Sequence, residues 1–403
     1  MSENQTKKVS IKPEASTERQ GILKVAVIGF GNAGCQTAQL AFATKQIPAI
    51  AINSSSRDLD TITSDIPRIL IGSGKGAGKD RDIAKEYFSE GVDDLIQEHR
   101  LVALLEENDV IFLVGSTSGG TASGMLPIAY EVFSSIYPTK LFILSTASPS
   151  IDEALGSQTH DIEFFKELQT NIPNAVYMCY DNDNYRGLPN DEVFNKVNTK
   201  MVEDMAIIRG DDIYKTSLDS IDENDLLNNL KMPGRLVVGV IRDIKELEVK
   251  ENLAVSIKES ITKSAAMQLE NDHVIAKFGV ISTLHNKFDK FLGTLKKDME
   301  HEFGMVADDF SNNTKIEFGQ GKSSVSAILT GLSFPESRFR RTIERKQEIE
   351  DELESRSEVK SCISDVDTTS VDKFRKGLNK NLSTDSGRRN VDTKSILDKY
   401  KKK

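Results

Sequence analysis

Apolar and polar positions follow two different periods along this chain. Short, continuous apolar runs recur through the first half: Ile22 to Ile28, Ile47 to Ile52, Val110 to Val114, Lys140 to Ser145 and Ala175 to Cys179. Each has the length of a strand buried on both faces. Between them lie stretches with helical spacing, such as Gly34 to Thr44 and Met125 to Phe133. Strands alternating with helices predict a parallel sheet covered by helices. Ligands of such sheets bind at the carboxyl ends of the strands.

Asn190 to Ile208 then reads as one long helix. Val193, Val197, Met201, Met205 and Ile208 recur at intervals of three and four, and Gly210 ends it. A second αβ region follows. Strands are expected at Leu236 to Ile241, Val274 to Ser282 and Ser324 to Ser333, and helices at Leu253 to Gln268 and Asn286 to Glu302. A charged helix, Glu336 to Arg356, leaves the globular body. The expected division is an N-terminal arm (1–20), a first domain (21–189), the long helix (190–210), a second domain (211–335), an extended helix (336–357) and a tail (358–403).

Charge and cysteine content narrow the function classes. The net charge of -10 argues against bulk, non-specific DNA binding. Cys35, Cys179 and Cys362 lie far apart without metal-ligand spacing, which suits a reducing cytoplasm. No run of about 18 apolar residues predicts a membrane span. Residues 1–20 are polar, lack the apolar stretch of a secretory signal and read as a mobile arm. From Val371 onward the chain holds eleven Lys and Arg against four Asp, so a disordered, basic tail is expected. Its end, Ser395-Ile-Leu-Asp-Lys-Tyr-Lys-Lys-Lys403, has the apolar anchors and basic charge of a partner-binding peptide.

The chemistry lies in three glycine-rich loops. Gly115-Ser-Thr-Ser-Gly-Gly-Thr-Ala-Ser-Gly124 stands between a strand and a helix. Its backbone N–H groups, its hydroxyls and the helix start suit a phosphate. It is not the common P-loop, because no Gly-Lys-Ser/Thr closes it. Gly29-Phe-Gly-Asn-Ala-Gly34 has dinucleotide-fold spacing, yet Asn53 stands where a dehydrogenase needs an acid for the ribose. Gly72-Ser-Gly-Lys-Gly-Ala-Gly-Lys79 is the third loop. A triphosphate offers enough oxygens to occupy all three.

At these residues the chain resembles the tubulin/FtsZ superfamily. Ser118-Gly119-Gly120-Thr121-Ala122-Ser123-Gly124 is similar to the signature Gly-Gly-Gly-Thr-Gly-Ser/Thr-Gly, departing at Ser118 and Ala122. Gly29, Gly31, Asn32, Ala33, Gly34, Cys35 and Gln36 resemble the family's first nucleotide loop, with Gln36 at a guanine-contacting position. Asn53 matches the second-loop asparagine, and Gly76-Ala77-Gly78 the loop near the γ-phosphate. Phe194 and Asn198 share one face of the long helix, where the family stacks and hydrogen-bonds guanine. The resemblance implies a ribose-holding carboxylate, Glu153 with Asp152 as alternative, and a loop at Asn182 preceding the guanine helix. Alanine at position 122 requires a negative φ there.

Asp222-Glu-Asn-Asp225, twelve residues before Gly234, resembles the loop that reaches the γ-phosphate of the neighbouring subunit. Its carboxylates would orient the attacking water; the same residues also suit a helix N-cap. Which of the two aspartates dominates stays open.

The resemblance implies a Rossmann-like GTPase domain, a long central helix and a second αβ domain. It further implies GTP/GDP as ligand, Mg²⁺ held mainly by phosphates and water, and head-to-tail filaments. Ala51 to Asp60 and the helix after Pro335 look most like the plasmid- and phage-encoded TubZ proteins. That implies a cytoplasmic filament moving plasmid or phage DNA through a DNA-bound adaptor on the tail. A phage spindle and a cell-division or cell-shape filament are the alternatives, with an NAD-dependent dehydrogenase as the remote one.

Overall fold

The computed structural model describes residues 22–213, 221–244, 253–270, 275–285, 292–304, 306–317 and 323–359. The expected arm at 1–20 and the tail from 360 lie outside the described residues. Among the described residues, ten strands form one continuous sheet in the order β3-β2-β1-β4-β5-β6-β7-β10-β8-β9.

The first half winds as the apolar runs predict. β1 (Val25–Phe30), α1 (Gly31–Lys45), β2 (Ala49–Asn53), α2 (Ser56–Asp60) and β3 (Arg68–Leu70) come first. α3 (Arg81–Leu95), α4 (His99–Glu107), β4 (Val110–Ser116), α5 (Gly120–Ile136), β5 (Leu141–Ser148), α6 (Leu155–Asn171) and β6 (Val176–Asp181) complete it. β1 pairs in parallel with β2 on one side and β4 on the other. The strand order reverses there, so a crevice opens at the carboxyl ends of β1 and β4.

A 3₁₀ turn (Asn182–Tyr185) leads into the long helix, α7 (Asn190–Arg209). All five of its expected apolar positions are buried, and Gly210 closes it in the left-handed conformation. α7 and α1 cover one face of the sheet, while α3, α5 and α6 cover the other.

α8 (Glu223–Leu230), β7 (Gly234–Ile241), α9 (Leu253–Thr262), β8 (Ile275–His285), α10 (Leu292–Phe303), β9 (Val306–Glu317), β10 (Ser324–Leu332) and α11 (Glu336–Val359) follow. β7 joins β6 in parallel through Val176 and Tyr177, paired with Gly234 and Arg235. Gly234 has φ +114°, and its N–H donates to the Ala175 carbonyl at 3.0 Å. A Cβ there would lie 3.0 Å from the Leu332 carbonyl. The glycine therefore lets the second region join the first sheet.

Three details differ from the apolar pattern. α1 begins at Gly31 rather than Gly34, because the glycine loop forms its own first turn, with Gly31 at φ +67°. The edge strands β3 and β9 have no apolar run to announce them. α9 ends at Thr262, six residues early. Positions 286–291 of the next expected helix lie outside the described residues.

Candidate functional site

A cavity of about 510 Å³ fills the crevice above β1 and β4. The helix α1 opens onto it through Gly31, Asn32 and Ala33, and α5 through Gly120, Thr121 and Ala122. The residues preceding these helices, Phe30 and Gly119, offer no side-chain cap. Two sets of first-turn N–H groups are thus left for a ligand, each at the positive end of a helix. The third loop behaves differently. Asp80 caps α3 itself, accepting from the Asp82 and Ile83 N–H groups. What this loop contributes to the wall is Gly76, Ala77, Gly78 and the cationic residues Lys75 and Lys79.

The loops are braced from behind. A Cβ on Gly120 would sit 2.7 Å from the Asp80 nitrogen, and one on Gly124 2.6 Å from the Arg81 carbonyl. Glycine at both positions lets the third loop pack directly on α5. Arg81, 4% exposed, donates to the Ser123 carbonyl at 2.9 Å and pairs with Glu163 and Glu167 of α6. Ser54 and Thr121 join the second loop to α5 by a 2.8 Å hydroxyl contact. Ala122 lies in the first turn of α5 and is absent from the positive-φ positions. Its methyl fits because the facing residue is Gly115, where a Cβ would lie 2.5 Å away.

The opposite end of the cavity is lined by Phe194, Val197 and Asn198 of α7, with Asn182 and Gln36. Phe194 is 49% exposed, an aromatic side chain about half uncovered by protein. Among the described residues the buried Asn182 Oδ1 has no hydrogen-bond partner. Gln36 is engaged with protein, donating to Thr61 at 3.0 Å and accepting from Gln39 at 3.4 Å. Asn53 lines the wall and is steadied by the Ser55 N–H and by Asp58.

Five expected ligand residues do not line the cavity. Gly29 and Gly34 seat α1 on the sheet: a Cβ on Gly34 would meet the Val114 carbonyl at 2.2 Å, and one on Gly29 the Gly34 carbonyl at 2.2 Å. Cys35 is buried, its thiol donating to the Ile52 carbonyl at 3.4 Å, and burial pushes its pKa up to about 12. Ser123 is buried, its hydroxyl donating back to the Gly119 carbonyl. Glu153 stands behind Asn182, which donates to it, and accepts from the Ser150 N–H at 3.1 Å. Burial raises the Glu153 pKa. The alternative, Asp152, pairs with Arg186 at 2.5 Å on the surface. Lining residues not picked from the sequence include Lys75, Lys79, Ser55, Asp58, Ser116 and Ala147. The two lysines were legible as cations inside a glycine run.

Asp222 and Asp225 are exposed and absent from the wall of the chain's own cavity. They form a capping box at the start of α8. The Asp225 N–H donates to Asp222 at 2.9 Å, and the Asp222 N–H to Asp225 at 3.3 Å. Among the described residues there is no cluster of three or more His, Cys, Asp or Glu suited to a metal. No described helix is long and apolar enough to cross a membrane.

The donor set fits a nucleoside phosphate: helix N-termini and lysines at one end, an aromatic face and amides at the other. No family model matches the chain. Its sequence is similar to the tubulin-like protein CetZ2 of Haloferax volcanii, 22% identical over 236 residues, or 54% of this chain and 63% of that one. It is also similar to cell division protein FtsZ 1 of Pyrococcus abyssi, 26% identical over 239 residues, 54% of this chain and 58% of that one. The matches thus span about six-tenths of these relatives' length. The fold superposes on a GTPγS-bound protofilament of CetZ2 with a TM-score of 0.66 at 18% identity, covering 81% of this chain and 100% of that one. It superposes equally well on a GTPγS-form protofilament of Bacillus thuringiensis serovar israelensis TubZ. There the TM-score is 0.66 at 19% identity, over 84% of this chain and 95% of that one.

Proposed function

We propose, from the premise that this chain belongs to the tubulin/FtsZ superfamily, that it is a GTPase whose hydrolysis is completed by assembly. The observation that carries this reading is a division of labour. One cavity holds the donors for a guanine nucleotide, and the two candidate catalytic carboxylates do not line it.

The triphosphate would lie across the N-termini of α1 and α5, with Lys75 and Lys79 countering its charge. Guanine would lie on Phe194, with Asn198 and Asn182 as hydrogen-bond partners for its edge. Mg²⁺ would neutralise charge on the phosphate oxygens, held there by phosphate and water. Asp222 and Asp225 of one subunit would orient and polarise the attacking water in the cavity of the next. Phosphoryl transfer depends on such positioning and charge neutralisation. A contact between unlike faces propagates into an open filament.

The solved relatives described as protofilaments support assembly. The asparagine at the end of β2 argues against a dinucleotide ribose site, and so against a dehydrogenase. Within this family reading, movement of plasmid or phage DNA in the cytoplasm through an adaptor is the role that the basic sequence at 394–403 favours.

The test is GTP turnover measured against protein concentration with right-angle light scattering. Turnover per subunit should rise steeply above a critical concentration, together with scattering. Concentration-independent turnover, or no GTP binding, overturns the reading. A tail peptide that captures no DNA-bound protein from the same genetic element overturns the adaptor role.

A further inference from the structure

α11 is rooted in the back wall of the nucleotide cavity by one buried side chain. Arg338, in its first turn, is 1% exposed. It donates to both oxygens of Asp181, at 2.5 and 3.1 Å, and to the Pro149 carbonyl at 2.7 Å. A fourth contact goes to Thr342 one turn along.

The Asp181 and Pro149 acceptors lie at the ends of strands that feed the cavity. Asp181 is the last residue of β6, and its side chain caps the 3₁₀ turn by accepting from the Asp183 N–H at 3.0 Å. That turn begins with Asn182, on the cavity wall. Pro149 follows β5, whose Ala147 also lines the wall. The Gly115–Gly124 loop is reached through Asp161 of α6, which is fully buried and within electrostatic range of Arg338. Asp161 accepts from the Thr117 hydroxyl and from Ser148 at 2.7 Å, and so holds the loop that carries Ser118 and Gly119. Among the described residues its second oxygen has no hydrogen-bond partner. One guanidinium therefore pairs with buried Asp181 and lies within electrostatic range of buried Asp161, and those carboxylates set the ends of β4, β5 and β6.

Around this root, Phe339 packs on Phe165 of α6 with centroids 4.4 Å apart. Further along, α11 leaves the body: Ile343 and Leu353 are 49% and 53% exposed. The helix thus has one end in the nucleotide site and the other in solvent.

We infer that Arg338 is a positioning residue for the nucleotide site, which couples occupancy of the cavity to the seating of α11. Without the guanidinium, Asp161 and Asp181 would be two uncompensated carboxylates in a dry interior, and the loop ends would separate or take up water. Coupling of this kind is reciprocal: whatever fixes α11 tightens nucleotide binding, and nucleotide fixes α11.

The inference rests on the guanine-nucleotide reading, and its test separates the two. Equilibrium binding of N-methylanthraniloyl-GDP is measured with full-length protein, below any assembly concentration. The proteins are wild type, Arg338→Lys, Asp181→Asn and the double variant, each checked by thermal melting. Each single variant should weaken binding by about tenfold, and the double variant should be no weaker than the worse single one. Folded variants that bind within about twofold of wild type overturn the inference, since a purely structural arginine would lower only the melting point. Should the variants not fold, hydrogen exchange of the wild type answers the same question. Amides of residues 338–343 should exchange more slowly with GDP bound, and unchanged exchange overturns the inference. A wild type that binds no guanine nucleotide overturns the nucleotide reading and this inference with it.

Discussion

Asp222 combines two roles that one substitution can separate. Its carboxylate caps α8, accepting from the Asp225 N–H at 2.9 Å, while Asp225 returns a bond at 3.3 Å. Asp222→Ala removes the cap and should cost about 1 kcal/mol of stability. The loss stays small because α8 is also held by buried Leu226 and Leu230. Asp222→Asn keeps an oxygen in the same place, and asparagine caps as well as aspartate, so its cost should stay below about 0.5 kcal/mol. What it removes is the negative charge and the basicity. If the carboxylate orients and polarises water at the next subunit's γ-phosphate, turnover should fall by about 10²–10⁴-fold. The assay combines phosphate release, light scattering over a concentration series, and thermal melting. The expected result for Asp222→Asn is a wild-type melting point, undiminished or longer-lived scattering, and turnover near background. Wild-type turnover per unit of polymer would refute the catalytic role and leave only the cap. Loss of scattering with an unchanged melting point would place Asp222 in the subunit contact instead.

Two glycines should behave oppositely. Gly34→Ala forces a Cβ to 2.2 Å from the Val114 carbonyl and should cost more than about 3 kcal/mol, read as a large fall in melting temperature. Gly119→Ala meets nothing within 4 Å and should leave the unliganded melting point nearly unchanged while weakening nucleotide binding in titration. Phe194→Ala, at a half-exposed position, should cost little stability but lower guanine-nucleotide affinity by about 1–3 kcal/mol, measurable by calorimetry. Asp204, buried on α7 between Lys200 and the Tyr180 hydroxyl, has its pKa pushed by burial up to about 6. Its folded pKa lies above the unfolded value, so native protein holds the proton more tightly and this group's contribution declines as pH rises from about 4 to 6. Asp204→Asn should therefore gain on the wild type over that interval, by at most about 3 kcal/mol, and stay level above it. A stability difference that is flat from pH 4 to 7 would refute the shift.

Local signals in the chain reached far into this fold. Apolar runs marked the strands of the parallel half, and a three-and-four repeat marked α7 to within one residue of its observed end. Glycine spacing marked the loops of the cavity, because positive φ angles and some close backbone approaches favour that residue. The sequence alone left two glycine roles undivided, however. Gly119 faces open space, whereas Gly34 faces a carbonyl, and only packing separates them. Edge strands β3 and β9 escaped notice because a strand paired on one side needs no continuous apolar run.

By itself, then, the amino-acid sequence determined which segments must be buried, where the backbone can turn and which groups can attract a phosphate. These are properties of a residue and its near neighbours. Tertiary structure alone decided which of those groups share a cavity, and that Asp222 and Asp225 stand away from it. It also brought Arg338 to Asp181, 157 residues earlier. A buried ion pair depends on the low dielectric that forms only when distant segments close around it, and no local window of sequence contains that term.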